Sequence, residues 1–196
     1  MKTRTLITLA GLALCLPACI PSLNPFYTEK DLIFEPRLVG TWQEKGKDQD
    51  PQTWKFERAD AKAYKLTITE AQGKQGEFTS HFFRLKQDSF LDLIPANCDY
   101  ASNQADLVGA SMFPGHLLVR VVQIEPDLKL AFFNFDWLVQ QLTNNPGILQ
   151  HHREGDRFIL TASTRDLQRF VLKHLAEGEL FEKPGEMVRQ TKAAGK

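Results

Sequence analysis

Any chemistry in this chain has to come from five histidines, three cysteines and the carboxylates. The histidines are His81, His116, His151, His152 and His174. His151 and His152 are adjacent, so on a regular strand or helix their side chains diverge. They can share a metal only from a loop, and they read as a solvated loop pair. His174 falls on the apolar face of a helix and reads as a half-buried structural residue. His81 lies in a strand among phenylalanines, with no acid at a useful spacing. Cys98 and His116 would form a thiolate–imidazole pair if the fold joined them, and nothing in the sequence does. The sequence contains no Gly-x-Ser-x-Gly elbow, no Ser-x-x-Lys pair and no phosphate-cradling glycine loop. The expectation is a non-enzyme with neither cofactor nor metal.

The N-terminus offers a different chemistry. Lys2 and Arg4 precede an apolar run from Leu6 to Leu16, the order found in a secretory signal. About a dozen residues is too short for the roughly 20 of a membrane-spanning helix. Small Ala18 comes just before Cys19, as a signal peptidase pocket requires, so residues 1–18 read as a signal cut between Ala18 and Cys19. Cys15 is a poorer position because Leu14 before it is not small. A plain cleaved signal with an incidental cysteine, or a retained N-terminal helix, are the other readings.

Leu16-Pro17-Ala18-Cys19 resembles the lipobox of bacterial lipoproteins, with Pro17 where Ala, Ser or Thr is commoner. The resemblance implies lipid attachment at Cys19, with palmitate-type acyl chains. One chain holds a protein only marginally. Each buried methylene adds about 0.8 kcal/mol, so the three chains of such lipoproteins anchor effectively for good. Ile20, rather than Asp, after the cysteine implies the outer membrane over the inner. The implied location is the bacterial cell envelope, with the domain exported from the cytoplasm. A longer run is similar to the opening of a group of uncharacterised bacterial lipoproteins: Ser22 to Thr28, Lys30-Asp31-Leu32, Phe34, Pro36 and Leu38 to Trp42. It implies a lipoprotein and no activity.

Elements that would position these residues follow from composition and periodicity. Without the signal the chain is long enough for one domain with a real core. Lys plus Arg and Asp plus Glu both number 24, so no basic excess exists to bind nucleic acid. Fourteen phenylalanines suggest an aromatic core or a lined pocket. Residues 19–37 read as a lipidated tether too apolar to hang in water, with Thr28 and Asp31 closing a turn. Residues 38–178 read as a single β-rich domain, and 179–196 as a largely irregular tail. Strands are expected at 53–57, 64–69, 78–85, 90–94, 117–124, 129–135 and 157–161. The strands at 117–124 and 129–135 are apolar on both faces and must be covered on both. Two helices are available, one at 136–142 capped by Asp136 and an amphipathic one at 164–177. Residues 95–115 form a long loop carrying Cys98. Once Cys19 is acylated, Cys98 is either a buried inert thiol or a free one.

About eight antiparallel strands followed by a C-terminal helix resemble a lipocalin, and Gly40-Thr41-Trp42 matches that family's Gly-x-Trp. The resemblance implies a barrel or half-barrel whose closed end the Trp42 indole plugs. The family's Thr-Asp-Tyr has no equivalent here, and the helix before the last strand departs from the pattern. An open sheet with both helices on one face is the rival fold.

Three functions are weighed. The first is a structural or partner-interaction lipoprotein with an envelope protein partner. The second is a binder of a lipid or other small apolar ligand, its pocket lined by Trp42, Trp54, Phe82 and Phe132. The third is an enzyme using Cys98 or the His151-His152 pair. Filled or hollow phenylalanine-rich faces separate the first two.

Overall fold

The computed structural model describes residues 20–47, 49–96 and 113–190. The signal, Ala18, Cys19, Cys98 and most of the 95–115 loop lie outside them. Eight strands form a closed antiparallel barrel: β1 (Gly40–Glu44), β2 (Thr53–Arg58), β3 (Ala63–Thr69), β4 (Gln75–Leu85), β5 (Asp88–Pro95), β6 (Leu117–Gln123), β7 (Leu128–Phe132) and β10 (Gly185–Arg189). Strands β1 to β7 follow one another as an up-and-down sheet. β10 closes the circle, pairing with β7 through Met187↔Leu128 and with β1 through Trp42↔Arg189. A second, two-stranded sheet pairs β8 (His151–Glu154) with β9 (Arg157–Leu160) outside the barrel.

Period-2 alternation decides which residues face inward. Trp42, Trp54, Phe56, Tyr64, Leu66, Phe82, Leu91, Leu93, Val119, Val121, Leu128, Leu130 and Met187 share one core inside the barrel. The outer faces of β4 to β7 carry a second core, with Phe83, Phe90, Leu118 and Phe133. Two helices cover it, α1 (Phe135–Asn144) and α2 (Thr164–His174), through Trp137, Leu138, Leu142, Leu167, Phe170 and Val171. This is the covering that two-faced apolar strands require. A bulge between Val121 and Gln123 changes the alternation near the end of β6. Ile124 thereby joins the interior core, and Val122 is left exposed instead of covered.

Three expectations change. Residues 179–196, expected to be irregular, contain β10, whose five residues are too few to show a period beside Pro184 and Gly185. The cap of α1 is Asn134, whose side chain accepts from Trp137 N–H (3.1 Å), not Asp136. His151 and His152 sit in strand β8, not in a loop. The helix α2 opens as expected, with Ser163 as cap and Asp166 accepting from the Ser163 hydroxyl at 2.7 Å.

The segment before β1 is built into the fold. Phe26 is 1% exposed and packs edge-on to Phe133. Thr28 donates to Asp31 from its N–H (2.8 Å) and hydroxyl (2.6 Å), and Gln168 of α2 adds a third bond at 2.9 Å. Burial works to raise the Asp31 pKa, but these donors outweigh it and hold the carboxyl below its usual range.

Candidate functional site

The structure brings all four pocket candidates into the barrel interior. Trp42 and Phe82 are fully buried, Trp54 is nearly so, and Phe132 is half-buried. Trp42 and Trp54 are direct cross-strand partners on β1 and β2. Trp54 meets Phe132 edge-on across the barrel, with ring centroids 6.1 Å apart. Phe56, Tyr64, Leu66, Leu91 and Val119, all fully buried, fill the same core. Four clefts among the described residues open on the protein surface, and none of them is lined by Trp42, Trp54, Phe82 or Phe132.

One end of this interior is closed by the chain's own entry into β1. A 3-10 turn at Pro36–Leu38 inserts fully buried Leu38, and Trp42 Nε1–H donates to the Leu38 carbonyl at 2.9 Å. From β10, the Arg189 guanidinium lies 4.1 Å from the Trp42 ring centroid. It also donates to the Val39 carbonyl (2.7 Å) and to that of Arg37. Gly40 has φ +136°, which favours glycine, and a Cβ there would stand 2.6 Å from Arg189 Nη1, so any side chain would also have to displace the guanidinium. Phe34 stacks on Tyr64 at 4.9 Å, and the Arg58 guanidinium lies 4.5 Å from the Phe34 ring centroid. The Tyr64 hydroxyl donates to Glu35 O and accepts from Glu35 N–H, and burial pushes its pKa up to about 12.

Two polar atoms inside the barrel have no partner among the described residues, Trp54 Nε1 and Ser80 Oγ. Ser80 is fully buried and sits opposite Tyr64 on β3 and Leu93 on β5. Leaving such donors unpaired in an apolar interior costs about 1–3 kcal/mol each. As donors without a partner, they could recognise a polar atom of a guest.

Outside the barrel, a polar cluster emerges that sequence reasoning missed. Asp92 is fully buried on the outer face of β5, beside His81 on β4. Its Oδ1 accepts from His116 Nδ1 at 2.6 Å, and its Oδ2 from Phe26 N–H at 2.9 Å. The Tyr27 hydroxyl lies 3.2 Å from His81 Nδ1, with the two rings 4.8 Å apart. Burial pushes the Tyr27 pKa up to about 12, with Asp92 and Glu29 adding to it. Burial pulls that of His81 down, against the Asp92, Asp60 and Glu29 charges. A carboxylate inside the apolar run Phe90-Leu91-Asp92-Leu93-Ile94 was the available signal, because an acid on a covered face must have partners. Both carboxylate oxygens are spent on holding the entering chain and His116 in place, so the cluster works as a clamp.

The remaining histidines hold apart. His151 Nδ1 bonds to the Leu149 carbonyl (2.9 Å), while His152 pairs with Ile159 and is exposed. His174 is 5% exposed, bonded through Nδ1 to Glu177 at 2.7 Å, and packed between Trp137 and Phe170. No group of three or more metal-ligating side chains forms among the described residues. No protein-family model matches the chain, and no curated protein or solved structure is similar to it at a significant level.

Proposed function

We propose that this protein is a lipid-anchored module of the bacterial cell envelope that works through its outer surface, engaging an envelope partner rather than carrying a ligand. The observation that supports this most is the filled interior. Trp42, Phe56, Tyr64 and Phe82 take up the volume a guest would need, and the end near Leu38 is plugged. An eight-stranded barrel is narrow enough for side chains alone to fill it. With the inside committed to stability, recognition falls to the helices, the hairpin and the loops. The anchor reading comes from Leu16 to Cys19. In-cell crosslinking of the full chain tests the proposal. A reproducible heteromeric adduct is expected, and recovery of monomer alone would overturn it.

A second reading is a binder of a lipid or other apolar ligand. The unpartnered Trp54 Nε1 and Ser80 Oγ favour it, together with the half-buried Phe78, Leu117 and Phe132 that pack on the interior core. Such a guest would displace side chains and offer an oxygen to those donors. Mass spectrometry of the native purified protein decides between the two: a stoichiometric copurifying lipid supports the binder, and its absence supports the partner module.

A further inference from the structure

The chain is part of the domain from Ile20 onward. Ile20 is 3% exposed and Ser22 is fully buried. Ser22 N–H donates to His116 O (2.9 Å), and His116 N–H returns a bond to Ser22 O (2.8 Å). On the other side, Leu160 N–H donates to Pro21 O and Leu23 N–H to Leu160 O, both at 2.9 Å. Residues 20–23 therefore run parallel to β9 along the edge of the β8–β9 hairpin, joined to it by a single bridge at Ser22 and Leu160. Alternation gives this patch two faces. Ile20, Ser22, Phe158 and Leu160 are all buried and form the inner one. Pro21, Leu23 and Ile159 fall on the outer one.

That outer face is apolar along Pro21, Leu23 and the half-buried Ile159, and turns polar farther along the hairpin, where exposed His152, Glu154 and Arg157 share it. Leu23 is 38% exposed, and Phe113, which leads into Gly115 packed against Pro21, is 66% exposed. The other exposed large apolar side chains among the described residues, Val39 and Val122, stand at the start of β1 and near the end of β6. The hairpin's Arg153 and Arg157 are balanced by Glu154 and Asp156, so the patch has no cationic excess.

Cys19 is bonded to Ile20, and consecutive Cα atoms are about 3.8 Å apart. A lipid on Cys19 would hold the domain with no spacer. We propose that the outer face of this patch, Pro21, Leu23 and Ile159 with Phe113 at its margin, is the surface on which the domain rests against the phospholipid bilayer. This rests on the lipid anchor of the proposed function. Because the patch lacks net positive charge, contact is apolar and interfacial, and insensitive to salt.

The test places single cysteines at Leu23→Cys, Ile159→Cys and, as a distant control on the outer face of β2, Lys55→Cys. All are made in the full lipid-bearing chain with Cys98→Ser, inserted from outside into phosphatidylethanolamine–phosphatidylglycerol vesicles. Modification by a polyethylene glycol maleimide is timed against the same chains carrying Cys19→Ser, free in solution. Expected is about tenfold slower modification at 23 and 159 on vesicles, no change at 55, and the same pattern at high salt. Co-flotation with vesicles but equal rates at all three positions would overturn this face while leaving the anchor standing. Failure to co-float would remove the anchor, and this face with it.

Discussion

Arg189 and Trp42 join the last strand of the barrel to the first: the guanidinium sits 4.1 Å from the indole centroid and bonds the backbone of residues 37 and 39. A single side chain therefore ties the closing seam to the turn that plugs the barrel. Arg189→Ala is expected to lower stability by about 1–3 kcal/mol, from a cation–π contact and its hydrogen bonds together. Arg189→Lys should recover only part, since one ammonium cannot span both carbonyls and the ring. Urea denaturation measures both.

Gly40→Ala should also be destabilising, by at least about 1 kcal/mol, because φ +136° strains any L side chain and the added methyl meets Arg189. The steric part vanishes when the arginine is shortened. The double variant Gly40→Ala with Arg189→Ala is then expected to lose less than the sum of the singles, and a double-mutant cycle reads the difference.

Ser80→Ala separates a filled interior from a binding one. If the interior is only core, removing an unpartnered hydroxyl leaves stability unchanged or raises it by up to about 1 kcal/mol. If the hydroxyl holds a guest, the variant should purify with less lipid than the wild type. Thermal unfolding and mass spectrometry of the same preparation report both quantities.

Asp92→Ala should cost about 3 kcal/mol, because it strands the Phe26 N–H and His116 in a buried setting. Asp92→Asn keeps an acceptor and should fall between. Limited proteolysis of the Ala variant is expected to cut within residues 20–37, where the wild type resists.

The His81 pKa is depressed in the folded state, so the folded protein prefers the neutral ring. Above the ordinary value of about 6.5 neither state is protonated and nothing is lost. As pH falls below it, the unfolded chain takes up the proton first, and stability declines until the folded pKa is passed. His81→Gln should flatten that decline. A second loss, at lower pH, comes from carboxyls whose pKa values are held down, including Asp31 and Glu35, and should persist in the variant. Urea melts between pH 3 and 7.5 separate the two windows.

Much of this architecture could be read from periodicity. Tyr64, Leu66 and Ile68 alternate cleanly and all face the interior. The two-faced runs at 117–124 and 129–135 correctly demanded a covering outside the barrel. β10 escaped because five residues starting at a glycine carry no period, and only pairing on both edges gives them a conformation. The bulge that turns Ile124 inward is set by the register of the partner strand and leaves no local mark. The four pocket candidates did converge, but whether convergence leaves a hollow depends on rotamers and barrel width, which no single strand encodes. Asp92 was visible as an anomaly, yet its partners lie 66 and 24 residues away and only the fold names them.

The position of β10 makes the whole cylinder depend on one short strand. β1 and β7 each leave one edge open until Gly185–Arg189 arrive between them. Without β10 the sheet is unclosed, with two ribbons of unpaired amides, a state prone to wrong partners. A truncation upstream of Gly185 should therefore convert a self-contained cylinder into an adhesive one.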